Sequence, residues 1–434
     1  MSPPQVLERL ATSRRQFLRA FSGTLAGLTL SDILHLRAQA AESHDTSVIF
    51  ITLGGGPAQH ETYDPKPSAP VEYRGSFRPI ATSVPGHQFC ELLPQQARRA
   101  DRLAVIRSVH HEQASHIAEH IVETGYDLKD GGKSRTGEMP SIGAIVSRVR
   151  GIGRSGIPSY VSLPQHHGYA GAHWLGVQHH HFAINEDPNS ENFSVGNLKL
   201  LDTLSSDRLS DRRKLHKDFE AARRMMDGFR CVEGLDGFSD QAFSLVTSEQ
   251  ARKAFDLSSE DAKLRDRYGR NTLGQRMLLA RRLVEAGVPF ATVRMFDWDD
   301  HQDLAKHISI RAPMYDAAIS ALIDDLRDRG LARKVLVVAM GEFGRTPRVN
   351  SMGGRDHWPA VNSVVLSGGN YRMGQVIGAT DEQAGEVTAA PYRPQNVIGM
   401  VYRHLGIDPE MAFPDYTGRP RYVLEERESI TELL

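Results

Sequence analysis

Two short apolar runs constrain the fold more than any other feature. DTSVIFITLGGG at 45–56 and KVLVVAM at 334–340 are almost unbroken runs of β-branched and aliphatic residues, the first ending in glycine and the second followed by Gly341. Strands buried on both faces read this way, whereas a strand with one wet face alternates apolar and polar residues. RLAVIRSV (102–109), IPSYVSL (157–163), PFATVRMF (289–296) and SVVLSGG (363–369) add further strands. Between them lie helical periodicities: SIGAIVSRV (141–149), LSDRRKLHKDFEAARRMM, GQRMLLARRLVEAG, PMYDAAISALIDDLRDRG (313–330, with Gly330 as its cap) and PQNVIGMVYRHLGI (394–407). Strands alternating with helices predict an α/β fold, with a mainly parallel central sheet and helices on both faces. No repeat or linker divides the chain, so residues 41–434 read as a single domain.

The N-terminus reads as an address. SRRQFL at 13–18, a modest apolar stretch, and small residues at Ala38 and Ala40 describe a twin-arginine export signal over residues 1–40, with cleavage after Ala40. The apolar stretch is interrupted by Asp32 and His35 and is too short for a membrane span, and no other segment is long enough. The expected location is therefore the periplasm or beyond, with the twin-arginine translocase as partner during export. Lys+Arg 52 against Asp+Glu 53 leaves a net charge of -1, which gives no general attraction for nucleic acid or an anionic membrane. Two cysteines, Cys90 and Cys231, match no zinc spacing and make no disulfide framework. The absence of a Cys-x-x-Cys-His sequence and of cluster cysteines argues against electron transfer.

Nineteen histidines are the unusual feature, and they gather after the strands. In open α/β sheets ligands bind at the carboxyl ends of strands. The first strand delivers His60, Glu61 and Asp64. The second delivers His110, His111, Ser115, His116 and His120. DWDDHQD delivers Asp297, Asp299, Asp300 and His301. GEFGRTPRVNSMGGRDHWP (341–359) delivers Glu342, Arg345, Arg355, Asp356 and His357. His116 and His120 share one helical face, and Asp299 and His301 point the same way along an extended segment. QHHGYAGAHWLGVQHHH (165–181) reads as a mobile loop with a solvated rim, from which His173 and His181 can reach a substrate. Mixed histidine and carboxylate donors without cysteine suit a divalent metal, zinc or manganese. Arg345 and Arg355 are natural forks for a tetrahedral anion. Together these residues point to metal-assisted transfer from a tetrahedral anionic ester.

VIFITLGGGPAQHETYDPKP, FDWDDHQD, GEFGRTPRVNSMGGRDHWP and GQVIGATD, behind a twin-arginine signal, resemble the exported bacterial family called domain of unknown function 1501, within the alkaline phosphatase and sulfatase superfamily. The resemblance implies an alkaline-phosphatase-like fold with its metal site opened by Glu61, or by its rival Asp64. Family members commonly carry Asp where Glu61 stands. SHIAEHIVETG places Ser115 in the superfamily's nucleophile slot, at a helix N-terminus ten residues before the glycine of a Thr-Gly pair. The Cys-x-Pro-x-Arg pattern of formylglycine sulfatases is absent. Asp299 and His301 resemble the superfamily's central metal pair, Glu342-Phe343-Gly344 its Asp-His-Gly turn, and His357 its last histidine ligand. Phe343 cannot ligate, so one usual ligand is missing there, and either a one-metal site or one completed by His116 is chemically sufficient. The implied activity is hydrolysis of phosphate or sulfate esters, with Ser115 or an activated water as nucleophile, His116 beside it and Arg345 steadying the anion. The expected substrate is a small anionic ester or a sulfated or phosphorylated polymer. The alternative is a non-catalytic protein of the same fold that binds anionic polymers in the cell envelope.

Overall fold

In the computed structural model the apolar runs pair into one eight-stranded sheet. The structure describes residues 45–127, 139–151, 156–164, 169–195 and 244–434. The twin-arginine segment, Cys231 and the helix expected over 209–226 lie outside the described residues. Asp45–Leu434 forms one compact unit.

The strands are β1 (Ser47–Leu53), β2 (Ala104–Val109), β3 (Tyr160–Leu163), β4 (Phe182–Ala183), β5 (Phe290–Met295), β6 (Val335–Met340), β7 (Asn362–Gly368) and β8 (Gln375–Ile377). Their order across the sheet is β8-β2-β7-β6-β1-β5-β3-β4. All pairings are parallel except those of β7, which runs antiparallel to β6 and β2. The segment between β6 and β7 contains no helix, and a parallel return needs a crossover. The chain therefore doubles back.

The continuous apolar runs have a direct cause. All seven residues of β1 are buried, between β5 and β6. Ile49, Ile51 and Leu53 face one core, whereas Val48 and Phe50 face the other. The helices α1 (Glu119–Thr124), α2 (Ile142–Arg150), α3 (Thr272–Glu285), α4 (Leu304–Asp328) and α5 (Pro394–His404) supply the two covering layers. Met277, Leu278, Ile319 and Leu322 of α3 and α4 pack on the first face, and Ile145, Val397 and Val401 of α2 and α5 on the second.

Helix α4 differs from its expected bounds. It begins at Leu304 rather than at Pro313, which lies inside it. Leu304, Ile308, Ala312 and Tyr315 form a buried stripe that carries the helix through the proline. Pro313 itself is exposed, so its missing N–H falls on the solvent side, where the freed carbonyl is open to water. At the other end Gly330 takes φ +70, and Leu331 N bonds Leu326 O at 2.7 Å, closing the helix through a left-handed residue.

The described part of 165–181 is not a solvated rim. Ala172 and Leu175 join the second core, and His179 packs beneath them with its Nδ1 3.2 Å from Ser147 Oγ. Small and apolar residues among the histidines draw this segment inward. His181 is partly buried, its Nδ1 3.2 Å from Ala170 O, and burial pushes its pKa down to about 4. His173 is partly buried, with its pKa likewise lowered by burial. Neither joins the cluster described next.

Candidate metal centre

Strands β1, β2, β5 and β6 share one direction, so the segments that follow them emerge at the same edge of the sheet. Close approach of these segments depends on glycine. Gly55 has φ +104, and a Cβ there would lie 2.4 Å from Asp299 N. Gly354, of ordinary φ, packs so tightly that its Cβ would lie 2.0 Å from the His301 carbonyl carbon. With no side chains in the way, the loops after β1, β5 and β6 close on one another.

Among the described residues, one group of three or more metal-capable side chains converges: His116, Asp299 and His357, with one ligand atom of each within 4.8 Å of the others. His301 joins them, its Nε2 3.1 Å from Asp299 Oδ1 and 3.0 Å from His357 Nε2. Glu342 completes the group from behind. Its Oε1 accepts from Gly55 N at 2.8 Å and lies 3.0 Å from His116 Nδ1, while His116 Nε2 lies 3.2 Å from Asp299 Oδ2. Asp356 stands at the rim, 2.7 Å from His301 Nδ1.

Outer partners decide which way the imidazoles present their lone pairs. His357 Nδ1 donates to Ala114 O at 2.8 Å, so its lone pair sits on Nε2 and faces Asp299 and His301. Asp356 holds the proton of His301 on Nδ1 in the same manner, which turns that Nε2 lone pair inward. Two imidazole lone pairs and a carboxylate facing one another at about 3 Å make a site that asks for a cation. The donor set therefore fits a divalent ion held by nitrogen and oxygen. Phe343 provides no donor. Its ring stacks on His357 at 4.4 Å and fixes the plane of that imidazole.

The electrostatics agree with the geometry. Burial alone would push the Asp299 carboxyl up, but Arg345, His357 and His116 overcome it and hold the pKa at about 2. The hydrogen bond that His116 donates to Glu342, opposed by burial and aided by Asp299, raises the His116 pKa. His357 is lowered by burial, with the charges of Arg345 and His116 adding to the effect.

Several sequence-derived candidates stand elsewhere. Glu61 forms a buried ion pair with Arg355, at 2.8 Å, and does not reach the cluster. Asp64 is paired with Lys66 at 3.2 Å and Arg107 at 3.3 Å, and it accepts from Thr380. The remaining donors of Arg355 go to the carbonyls of Tyr73, Thr346 and Pro347, so it is not a fork for an external anion. Arg345 is 1% exposed and bonds the carbonyls of Gly55, Gly56 and Arg355 besides Asp299 Oδ1 at 2.5 Å. It sits behind Asp299 and orients that carboxylate. His60 and His120 bond the carbonyls of Gln383 and Tyr126, and Asp300 is paired with Arg311. Asp297 stands just after β5 with a left-handed backbone, φ +75, and is not a member of the converging group.

Ser115 lies at the entry to the helical turn that starts at His116, next to the cluster in sequence. Its Oγ donates to Gln113 Oε1 at 2.9 Å. The backbone groups Gly55 N and Ala114 O hold Glu342 and His357 in place, and no side-chain pattern in the sequence marks them. His111, one of the strand-end histidines, bonds the Glu342 carbonyl, a contact that depends on where Glu342 folds.

Two solved structures illustrate what the chain is similar to. One is the PsFucS1 sulfatase from Pseudoalteromonas sp., at 13% identity over 86% of this chain and 70% of that chain, with a TM-score of 0.38. The other is the lipoteichoic acid synthase LtaP from Listeria monocytogenes, at 9% identity over 84% and 72%, with a TM-score of 0.32. Likenesses of this size assign no activity. No curated protein sequence matches the chain. The model of the family described as protein of unknown function (DUF1501) matches residues 45–434, the whole unit that carries the sheet and the cluster, and the chain belongs to that family.

Proposed function

We propose that this protein is an exported metal-dependent hydrolase of phosphate or sulfate esters, acting at a divalent centre held by His116, Asp299, His301 and His357. Zinc or manganese suits the donors, with Glu342 adding a further carboxylate. The observation that carries the reading is the inward-facing lone pairs of His301 and His357 against Asp299, with no lysine or arginine nitrogen among the described residues other than that of Arg345 on the carboxylate. A bound divalent ion would supply the positive charge that a tetrahedral anionic ester needs, and would polarise its oxygen or activate a water.

The chain's own residues divide the remaining work. Arg345 keeps Asp299 ionised and oriented. Glu342 holds His116, and Ala114 O holds His357. Ser115 is the candidate nucleophile at the start of a helical turn, where backbone N–H groups favour an anion. Export through a twin-arginine signal supports a substrate in the periplasm or cell envelope, either a small ester or a sulfated or phosphorylated polymer.

A second reading has one observation in its favour. The Ser115 hydroxyl is hydrogen-bonded to an amide oxygen rather than to a base, which suits a protein that binds such polymers without turnover.

The test is metal content by elemental analysis of the exported protein beside a Glu342→Ala, His357→Ala variant, followed by turnover of aryl phosphates and aryl sulfates. Near-stoichiometric metal lost in the variant, together with turnover, supports the hydrolase. Metal without turnover on either ester class favours the binding protein. Absence of metal in the wild type sinks both the centre and the hydrolase.

A further inference from the structure

The segment that brings Ser115 and His116 to the centre has no regular structure before His116. What orders it begins at His111, whose imidazole is 4% exposed and engaged at both nitrogens. Nε2 donates to Glu342 O at 2.5 Å, and Nδ1 accepts from Gln113 N at 3.1 Å. The tautomer is thereby fixed by two backbone groups. His111 N also donates to Pro359 O at 3.0 Å. Gln113 then carries the connection forward, because its Oε1 accepts from both Ser115 N at 3.2 Å and Ser115 Oγ at 2.9 Å.

This chain of bonds spans the two sides of one contact. On one side, Glu342 presents the carboxylate that meets His116 Nδ1. On the other, the 111–116 turn presents His116 itself. His111 grips the peptide of the first and the backbone of the second. Neither His111 nor Gln113 belongs to the converging group. An aliphatic side chain of similar size would fill the space of His111 but would tie neither segment.

We propose that His111, acting through Gln113, is a positioning residue for metal capture, holding His116 and Glu342 in the mutual arrangement that the centre requires. This inference rests on the metal-centre reading above. Partners of this kind commonly change metal affinity by about 10–100-fold without touching the ion.

The experiment titrates Zn2+ and Mn2+ into chelator-stripped, full-length exported protein by calorimetry, with thermal unfolding of the metal-free forms alongside. The variants are His111→Leu, Gln113→Ala and Gln113→Glu. Gln113→Ala is expected to weaken metal binding about 10-fold or more while leaving the metal-free unfolding temperature unchanged. Gln113→Glu, which keeps the acceptor, recovers most of the affinity, and His111→Leu loses at least as much as Gln113→Ala. Gln113 lies at the partly exposed surface, so its variants decide the matter even if His111→Leu does not fold. Wild-type affinity in Gln113→Ala overturns the inference and leaves the centre standing, whether or not His111→Leu folds. No uptake by the wild type overturns the centre, and the inference with it.

Discussion

Glu61 and Arg355 meet in an ion pair from which water is excluded on both sides, the carboxylate 2% exposed and the guanidinium not at all. The pair joins the loop after β1 to the loop after β6, and Tyr73, Thr346 and Pro347 supply carbonyls to the same guanidinium. Breaking such a pair from one side leaves a buried charge without its partner. Glu61→Ala is therefore expected to destabilise the fold by about 3–5 kcal/mol, read from urea unfolding. Metal stoichiometry of the folded fraction should stay at the wild-type value. Loss of metal with unchanged stability would return Glu61 to the role of ligand.

Asp299 is the one side chain that touches His116, His301, His357 and Arg345 together. Asp299→Asn keeps the shape and removes the charge. Affinity for zinc or manganese, measured by equilibrium dialysis, should fall by more than the roughly 10–100-fold typical of outer partners. An unchanged affinity would mean that the histidines bind without it.

Gly354→Ala tests the packing of the loops. The added methyl would meet the His301 carbonyl carbon at 2.0 Å and Gln302 N at 2.4 Å, both backbone atoms that cannot swing aside. The expected cost is about 1–3 kcal/mol in stability, with a loss of metal affinity because His301 moves. Full metal affinity in this variant would place His301 outside the ligand set.

The pH dependence of stability has a clear contributor in Glu123 of α1. Burial pushes its pKa up from 4.5 to about 8, with Glu119 adding to the shift and Arg294 opposing it. Across this interval the folded chain binds more protons at Glu123 than the unfolded chain does, so stability falls as pH rises. The contribution is complete below about pH 4.5 and is gone once the pH has passed about 8. Urea midpoints measured from pH 5 to pH 8.5 should decline in the wild type. They should decline less in Glu123→Gln, by a difference on the order of a few kcal/mol over the range. Parallel profiles would exclude Glu123 as the source.

The sheet was legible because strands covered on both faces must be apolar on both, and β1 and β6 carry that signature without interruption. The gathering of His116, Asp299, His301 and Glu342 was legible too, because each follows a strand end closely and parallel strands bring their ends to one edge, whereas His357 stands well beyond Met340 and is brought back by its pairing with Arg345. Glu61 and Asp64 follow a strand end just as closely, yet their partners Arg355 and Arg107 are fixed only by tertiary contact. Sequence spacing carries no trace of those pairings. Arg345 and Arg355 read as anion forks for the same reason, since nothing local shows that the carbonyls of distant loops occupy their donors. The start of α4 was missed because proline is the stronger local signal, while the stripe of Leu304, Ile308 and Ala312 gains its weight only from the core it covers.

The position of β1 has a consequence for how the molecule comes into being. It is the first strand of the sheet to be made and lies between β5 and β6, pairing Val48 with Phe290 on one side and Leu336 on the other. During synthesis it must wait, apolar along its length, until most of the chain has appeared. Such an exposed strand invites association with other chains. The segments that leave these late partners carry Asp299, His301, Glu342 and His357. The chain thus gains its shelter from aggregation and the geometry of the proposed ion site in the same closing step, and a metal taken up at that moment would act as a latch on a sheet already complete.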